Sequence, residues 1–175
     1  MSNAESLLKR SCMKHTALLI ILVCLSSCLS KKREKTKLEG KLMPSFNLLL
    51  LDSGAHFNTN NIPKGMPIVI FYFSPECPIC RAETEEIVTN IKSLANIQFY
   101  IITHFPLEQI KIYYDRYKLK KYRNITLGCD YNLDFGNYFK VQRVPYIAIY
   151  SNDKRLKQVL TGKVSTDVIK EIAFK

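Results

Sequence analysis

Ile68-Val69-Ile70-Phe71-Tyr72-Phe73 is a continuous apolar run of β-branched and aromatic residues, and it leads within a few positions into Cys77-Pro78-Ile79-Cys80. A run without polar alternation is expected of a central strand covered on both faces. Beyond Cys77 the pattern changes to a helical period. Cys80, Thr84, Ile87, Ile91 and Leu94 fall along one face, which turns Cys80 inward and leaves Cys77 at the helix start. A doubly covered strand feeding an amphipathic helix requires a layered α/β architecture, because both faces of the sheet then need helices against them.

The remaining segments supply those layers. Met43 to Leu51 and the stretch through Lys64-Gly65 read as an N-terminal hairpin and loop, turned at Asp52-Ser53-Gly54. Gln98 to Thr103 is a second apolar strand. Pro106 opens a helix in which Leu107, Ile110, Tyr114 and Tyr117 are expected to share a face. Ile125 to Cys129 gives a third strand and Leu133 to Phe139 a short helix. Tyr146 to Tyr150, the turn Ser151-Asn152-Asp153 and Leu156 to Thr161 form a hairpin. Ser165 is placed to cap a last helix carrying Val168, Ile169 and Ile172. The predicted fold is a central mixed β-sheet flanked by helices, with an N-terminal hairpin extension.

A chain of 175 residues suits one domain plus extensions. The extension lies at the N-terminus. Lys9, Arg10 and Lys14 precede an apolar run from Ala17 to Leu25, as in a signal peptide. No apolar run reaches the ~18 to 20 residues of a membrane-spanning helix. Met13-Lys14-His15 would begin a compact leader by itself, so either Met1 or Met13 serves as the start. Leu25-Ser26-Ser27-Cys28 resembles the lipobox of bacterial lipoproteins, which implies a leader over 1–27, lipid attachment at Cys28, and an exported, membrane-anchored protein facing the periplasm or cell exterior. Residues 28–41, with Lys31-Lys32-Arg33-Glu34-Lys35-Thr36-Lys37, read as a charged tether that touches anionic headgroups. The folded domain is expected over 42–175. The net charge of +11 is otherwise dispersed, and an exported chain gives it little occasion to bind nucleic acid.

Of six cysteines, Cys12 and Cys24 fall ahead of the mature chain and Cys28 would be acylated. Cys77, Cys80 and Cys129 are too few for a disulfide framework. A structural zinc site wants four Cys or His ligands, and the chain has no second Cys-x-x-Cys pair, so no metal is expected. At a helix N-terminus, Cys77 would face unpaired N–H groups and the positive end of the helix dipole, which favour a thiolate. Pro78 suits the first turn, where its missing N–H has no partner to lose. Cys77 is then the attacking sulfur, and Cys80 is placed to resolve a mixed disulfide from inside.

Phe71-Tyr72-Phe73-Ser74-Pro75-Glu76-Cys77-Pro78-Ile79-Cys80-Arg81-Ala82-Glu83, Val144-Pro145 before a strand, and the hairpin ending at Gly162 make the chain resemble the TlpA/ResA-like, membrane-tethered branch of the thioredoxin superfamily. The resemblance runs from about Leu42 to Lys175. It implies a thioredoxin-like fold, thiol-disulfide exchange with exported protein clients, an upstream redox partner, a monomer and no cofactor. It makes Val144-Pro145 a cis-proline site facing the nucleophilic cysteine. A proline opening a strand also leaves an edge free for an extended client segment. Glu83 matches the family's active-site acid; a carboxylate part-buried near Cys80 could carry its proton, whereas a solvated helix glutamate like Glu85 and Glu86 could not. Two positions depart from the pattern. Phe71 stands where thioredoxins proper carry a buried acid, and Glu76 replaces the usual aromatic before the first cysteine, bringing a negative charge beside Cys77.

Other readings remain open at this level. Cys129 is a small apolar side chain in a buried strand or a third redox cysteine. His56 and His104 lack metal-ligand spacing and read as loop residues. Ser74, three residues before Cys77, fits a thiol peroxidase of the peroxiredoxin kind, although Ile70 stands where that family has a proline. A copper chaperone on the same fold would want one more residue between the cysteines and a histidine beyond His104.

Overall fold

The computed structural model describes residues 33–52 and 54–175. Residues 1–32, with the expected leader and Cys28, and Ser53 lie outside the described residues. The strands are β1 (Arg33–Glu34), β2 (Asn47–Leu50), β3 (His56–Asn58), β4 (Ile68–Tyr72), β5 (Gln98–Thr103), β6 (Ile125–Cys129), β7 (Tyr146–Tyr150) and β8 (Leu156–Thr161). The helices are α1 (Pro78–Thr89), α2 (Leu107–Arg116), α3 (Asp134–Phe139) and α4 (Thr166–Phe174). They alternate with the strands as the sequence pattern predicts, and the sheet is mixed. Its order is β1-β8-β7-β4-β5-β6-β2-β3. β4, β5 and β6 are parallel, β7 runs antiparallel to β4, and β8 antiparallel to β7. β2 pairs with β3 and β6, so the N-terminal hairpin extends the sheet beyond β6.

Every residue of β4 is buried. Successive side chains of a strand point to opposite faces, so its apolar run serves two cores. Val69, Phe71 and Phe73 pack with Cys80 and Ile87 of α1, Ile110 and Tyr113 of α2, and Val168 and Ile169 of α4. Ile68, Ile70 and Tyr72 face Phe135 and Phe139 of α3 together with Phe46, Leu48 and Ile62. Burying each such side chain is worth about 1.5–3 kcal/mol, so β4 is the element both layers depend on.

Three details differ from the sequence reading. The buried face of α2 is Ile110, Tyr113 and Tyr114, whereas Leu107 is 37% exposed; Leu107 lies in the first turn, at the rim, and Tyr113 takes the place the spacing had given it. Ser165 occupies the N-cap position of α4 in extended conformation, but its side chain makes no capping hydrogen bond. Finally, the segment read as a free tether joins the sheet from Arg33 on. Arg33 and Glu34 pair with Leu160 and Val159. Further along, the Gly40 amide donates to the Leu156 carbonyl at 2.7 Å and the Arg155 guanidinium donates to the Gly40 carbonyl at 3.0 Å. An unpaired β8 edge offers backbone groups that this segment satisfies. Among the described residues, no helix is long and apolar enough to cross a membrane.

Candidate active site

Cys77 is the N-cap of α1, with φ −74° and ψ 117°, and Pro78 fills the first helical turn behind it. The Cys77 Sγ accepts the Cys80 amide at 3.3 Å. Its thiol also faces the Val144 carbonyl at 3.9 Å, and the Val144–Pro145 bond is cis, as the resemblance implies. The loop before Cys77 is held from two sides. Its amides turn back on Ser74, Cys77 N–H to the Ser74 carbonyl at 3.1 Å and Glu76 N–H to the Ser74 Oγ at 3.3 Å. Arg81 reaches over from α1 and donates through one Nη1 to the carbonyls of Pro75, at 3.3 Å, and Glu76, at 3.0 Å.

Cys77 is half-buried and Cys80 has no exposed surface, so one sulfur is offered to a partner and the other is withheld. Burial pushes the Cys80 thiol well above its ordinary range, and the neighbouring Cys77 and the Glu83 charge push it the same way. The Cys80 carbonyl accepts from the Thr84 hydroxyl at 3.1 Å and the Tyr113 hydroxyl at 3.2 Å, which ties this turn of α1 to α2. Cys80 therefore needs a base before it can react.

Glu83 lies one turn along α1 and is fully buried. Burial raises its pKa to about 7, against the lowering effect of the hydrogen bond from Val164. That bond, Val164 N–H to Oε2 at 2.7 Å, is its described anchor, and Oε1 has no partner among the described residues. An acid that is buried, half-anchored and poised near neutral pH can accept and return a proton. Phe71, at the position where thioredoxins proper carry an acid, is fully buried in the same core.

The carboxyl ends of β4, β5 and β6 meet beside this site. Tyr72 ends β4, and its hydroxyl is 3.1 Å from Nδ1 of His104, just beyond β5. Cys129 ends β6; it is buried, 3.5 Å from the Phe105 carbonyl, with its thiol raised first by burial and then by the Asp130 charge. Buried Asp130 accepts the amides of Asp134, Phe135 and Gly136 and so caps α3. Residue spacing revealed neither the Val164 anchor, the Arg81 contacts, the Tyr72–His104 pair nor the Asp130 cap, since each joins side chain to a partner the sequence period does not specify. His56, read from the sequence as a loop residue, instead opens β3, pairs with Leu49 and packs edge-on against Tyr131. Among the described residues no three His, Cys, Asp or Glu side chains form a group that could hold a metal ion.

No family model matches the chain. An uncharacterized protein of Haemophilus influenzae is 26% identical over 117 residues, covering 64% of this chain and 74% of that protein. Among solved structures, MTB dsbF superposes with a TM-score of 0.62 at 20% identity, over 79% of this chain and 95% of dsbF. A secreted Mycobacterium tuberculosis disulfide oxidoreductase homologous to E. coli DsbE gives 0.60 at 23%, over 73% and 92%. StoA from Bacillus subtilis gives 0.56 at 14%, over 74% and 96%. The strand order, the helix placement and these superpositions agree, and the chain has the thioredoxin-like fold.

Proposed function

We propose that this chain is a thiol-disulfide oxidoreductase that exchanges disulfides with exported protein clients through Cys77 and Cys80. The observation that carries the reading is the half-buried Cys77 Sγ, set at the N-terminus of α1 with an amide donated to it and facing the Val144 carbonyl before a cis-proline. In the reducing direction the Cys77 thiolate attacks a client disulfide, forming a mixed disulfide and releasing one client sulfur as a thiolate. Cys80 gives its proton to the Glu83 carboxylate and attacks the Cys77 sulfur. The second client sulfur leaves with the electron pair, and the chain is left with a Cys77–Cys80 disulfide. An upstream dithiol resets it; the reverse sequence oxidises a client dithiol. The solved structures it resembles include proteins named disulfide oxidoreductases, which supports the same chemistry.

The proposal places the protein outside the cytoplasm as a monomer anchored by a lipid on Cys28, with no cofactor of its own. Retention of labelled palmitate by the wild type, and its loss in Cys28→Ala, tests the anchor. A peroxidase role finds less support: the Ser74 hydroxyl receives the Glu76 amide and shapes the loop.

Equilibration of residues 33–175 in glutathione or dithiothreitol buffers, with alkylation and mass to read the two thiols, tests the exchange reading. A reversible two-electron Cys77–Cys80 transition is expected. A value near −270 mV would place the chain with thioredoxin-like reductants and one near −120 mV with strong oxidants, on the order of magnitudes known for such pairs. If neither cysteine protects the other from alkylation in any buffer, the reading fails.

A further inference from the structure

On the α3 side of the sheet a cleft of about 310 Å³ opens beside the cis-proline loop, lined among others by Tyr72, His104, Asn137, Gln142, Arg143 and Val144. We infer that it receives the side chain next to the client's cysteine, and that it selects a carboxylate. The inference rests on the exchange reading above and names the clients it favours.

Val144 touches both cores: the one containing Cys80, on the α1 side, and the one containing Tyr72, on the α3 side. Its carbonyl faces Cys77, and its side of the loop lines the cleft. A client segment laid in extended form along residues 143–145 sends alternate side chains to opposite faces of the sheet. If its cysteine points toward Cys77 on the α1 side, the adjacent residue points to the α3 side, into the cleft. The cleft also stands at the carboxyl ends of the parallel strands, where open α/β sheets place their ligands.

Arg143 is exposed and takes part in no ion pair among the described residues. Its planar fork of donors matches a carboxylate in two parallel bonds. His104 is oriented by the Tyr72 hydroxyl, whose ring also stacks on it with centroids 6.1 Å apart. In the tautomer whose Nδ1 accepts from the phenol, the other ring nitrogen carries the hydrogen and is a second donor. Asn137 and Gln142 add amides, while the two acids beside the cleft are engaged elsewhere: Asp130, whose charge reaches Tyr72, accepts the amides of Asp134, Phe135 and Gly136, and Asp134 accepts the Asn47 amide at 3.1 Å. The set is rich in donors and carries a fixed positive charge, and the chain as a whole is at +11.

The test uses single-cysteine heptapeptides carried as mixed disulfides with 2-mercaptoethanol, differing only in Asp, Asn or Lys directly beside the cysteine. Reduced protein converts each to the free peptide thiol and free mercaptoethanol while forming its own disulfide, and rates are divided by those with dithiothreitol to remove intrinsic reactivity. The Asp peptide is expected to react at least fivefold faster than the Asn peptide. Arg143→Gln should bring that ratio below two, and Arg143→Glu should make the Lys peptide the faster one. Equal wild-type rates, or an Asp preference that survives both substitutions, overturns the inference. No exchange with any peptide would sink the exchange reading along with it, and is told apart by that uniform failure.

Discussion

The amide of Val164 donates to Oε2 of Glu83 at 2.7 Å, across 81 positions of sequence, inside a fully closed environment. The bond partly offsets the cost of burying a carboxylate, and what remains uncompensated raises its pKa to about 7. The folded state thus holds a proton that the unfolded chain releases near the usual carboxylate value of 4.5. Below pH 4.5 both states are protonated and the group is neutral in the balance. Between 4.5 and 7 its contribution becomes unfavourable, and above 7 the penalty is complete, about 3 kcal/mol by linkage. Glu83→Gln keeps an oxygen for Val164 without the charge. Urea unfolding of the reduced protein should show the variant gaining about 3 kcal/mol over wild type at pH 8 relative to pH 4.5. A constant difference across that range would mean Glu83 does not titrate in the fold.

The same substitution should slow exchange. Cys80 is raised by burial and needs a base, and Glu83 is the acid buried beside it. Starting from a purified mixed disulfide on Cys77, its resolution by Cys80 at pH 7 should fall roughly 10²-fold in Glu83→Gln, with the gap narrowing as hydroxide takes over at higher pH. Rates within twofold of each other at pH 7 would assign the proton to solvent.

Arg81 should matter to the loop ahead of Cys77 by shape more than by charge. Its Nη1 serves two carbonyls, and an ammonium cannot reproduce the planar fork. Arg81→Lys and Arg81→Met should both lose about 1 kcal/mol of stability and increase amide hydrogen exchange at Glu76 and Cys77. Full recovery of protection in the lysine variant would show that charge alone suffices.

Asp130 should be costly to remove. Its buried carboxylate serves three amides of a helix only six residues long, which has few hydrogen bonds of its own. Asp130→Ala should destabilise by about 2 kcal/mol and Asp130→Asn by less, with the loss of exchange protection concentrated at residues 134–136. A loss spread evenly over the domain would point to core disruption instead of an uncapped helix.

Much of the fold was legible because its signals are local. The apolar run at Ile68 to Phe73, the turn residues at 52–54 and 151–153, and the period through Cys80, Thr84 and Ile87 each declare an element within a few residues. The reading missed where a terminus or an edge decided the outcome. Leu107 kept the spacing of a buried residue but lies where α2 enters from solvent, and Arg33 and Glu34 read as solvated until the β8 edge supplied a partner.

The sequence by itself determined that two thiols stand one turn apart at the mouth of a helix, with Cys80 turned inward, because helical spacing and the proline at the first turn are properties of adjacent residues. Only the tertiary structure decided what surrounds them. Val144 comes to Cys77 from 67 positions away, Val164 to Glu83 from 81, and His104 to Tyr72 from 32. Desolvation and charge depend on which remote segments exclude water from a site, and an order of strands, not a spacing of residues, sets that.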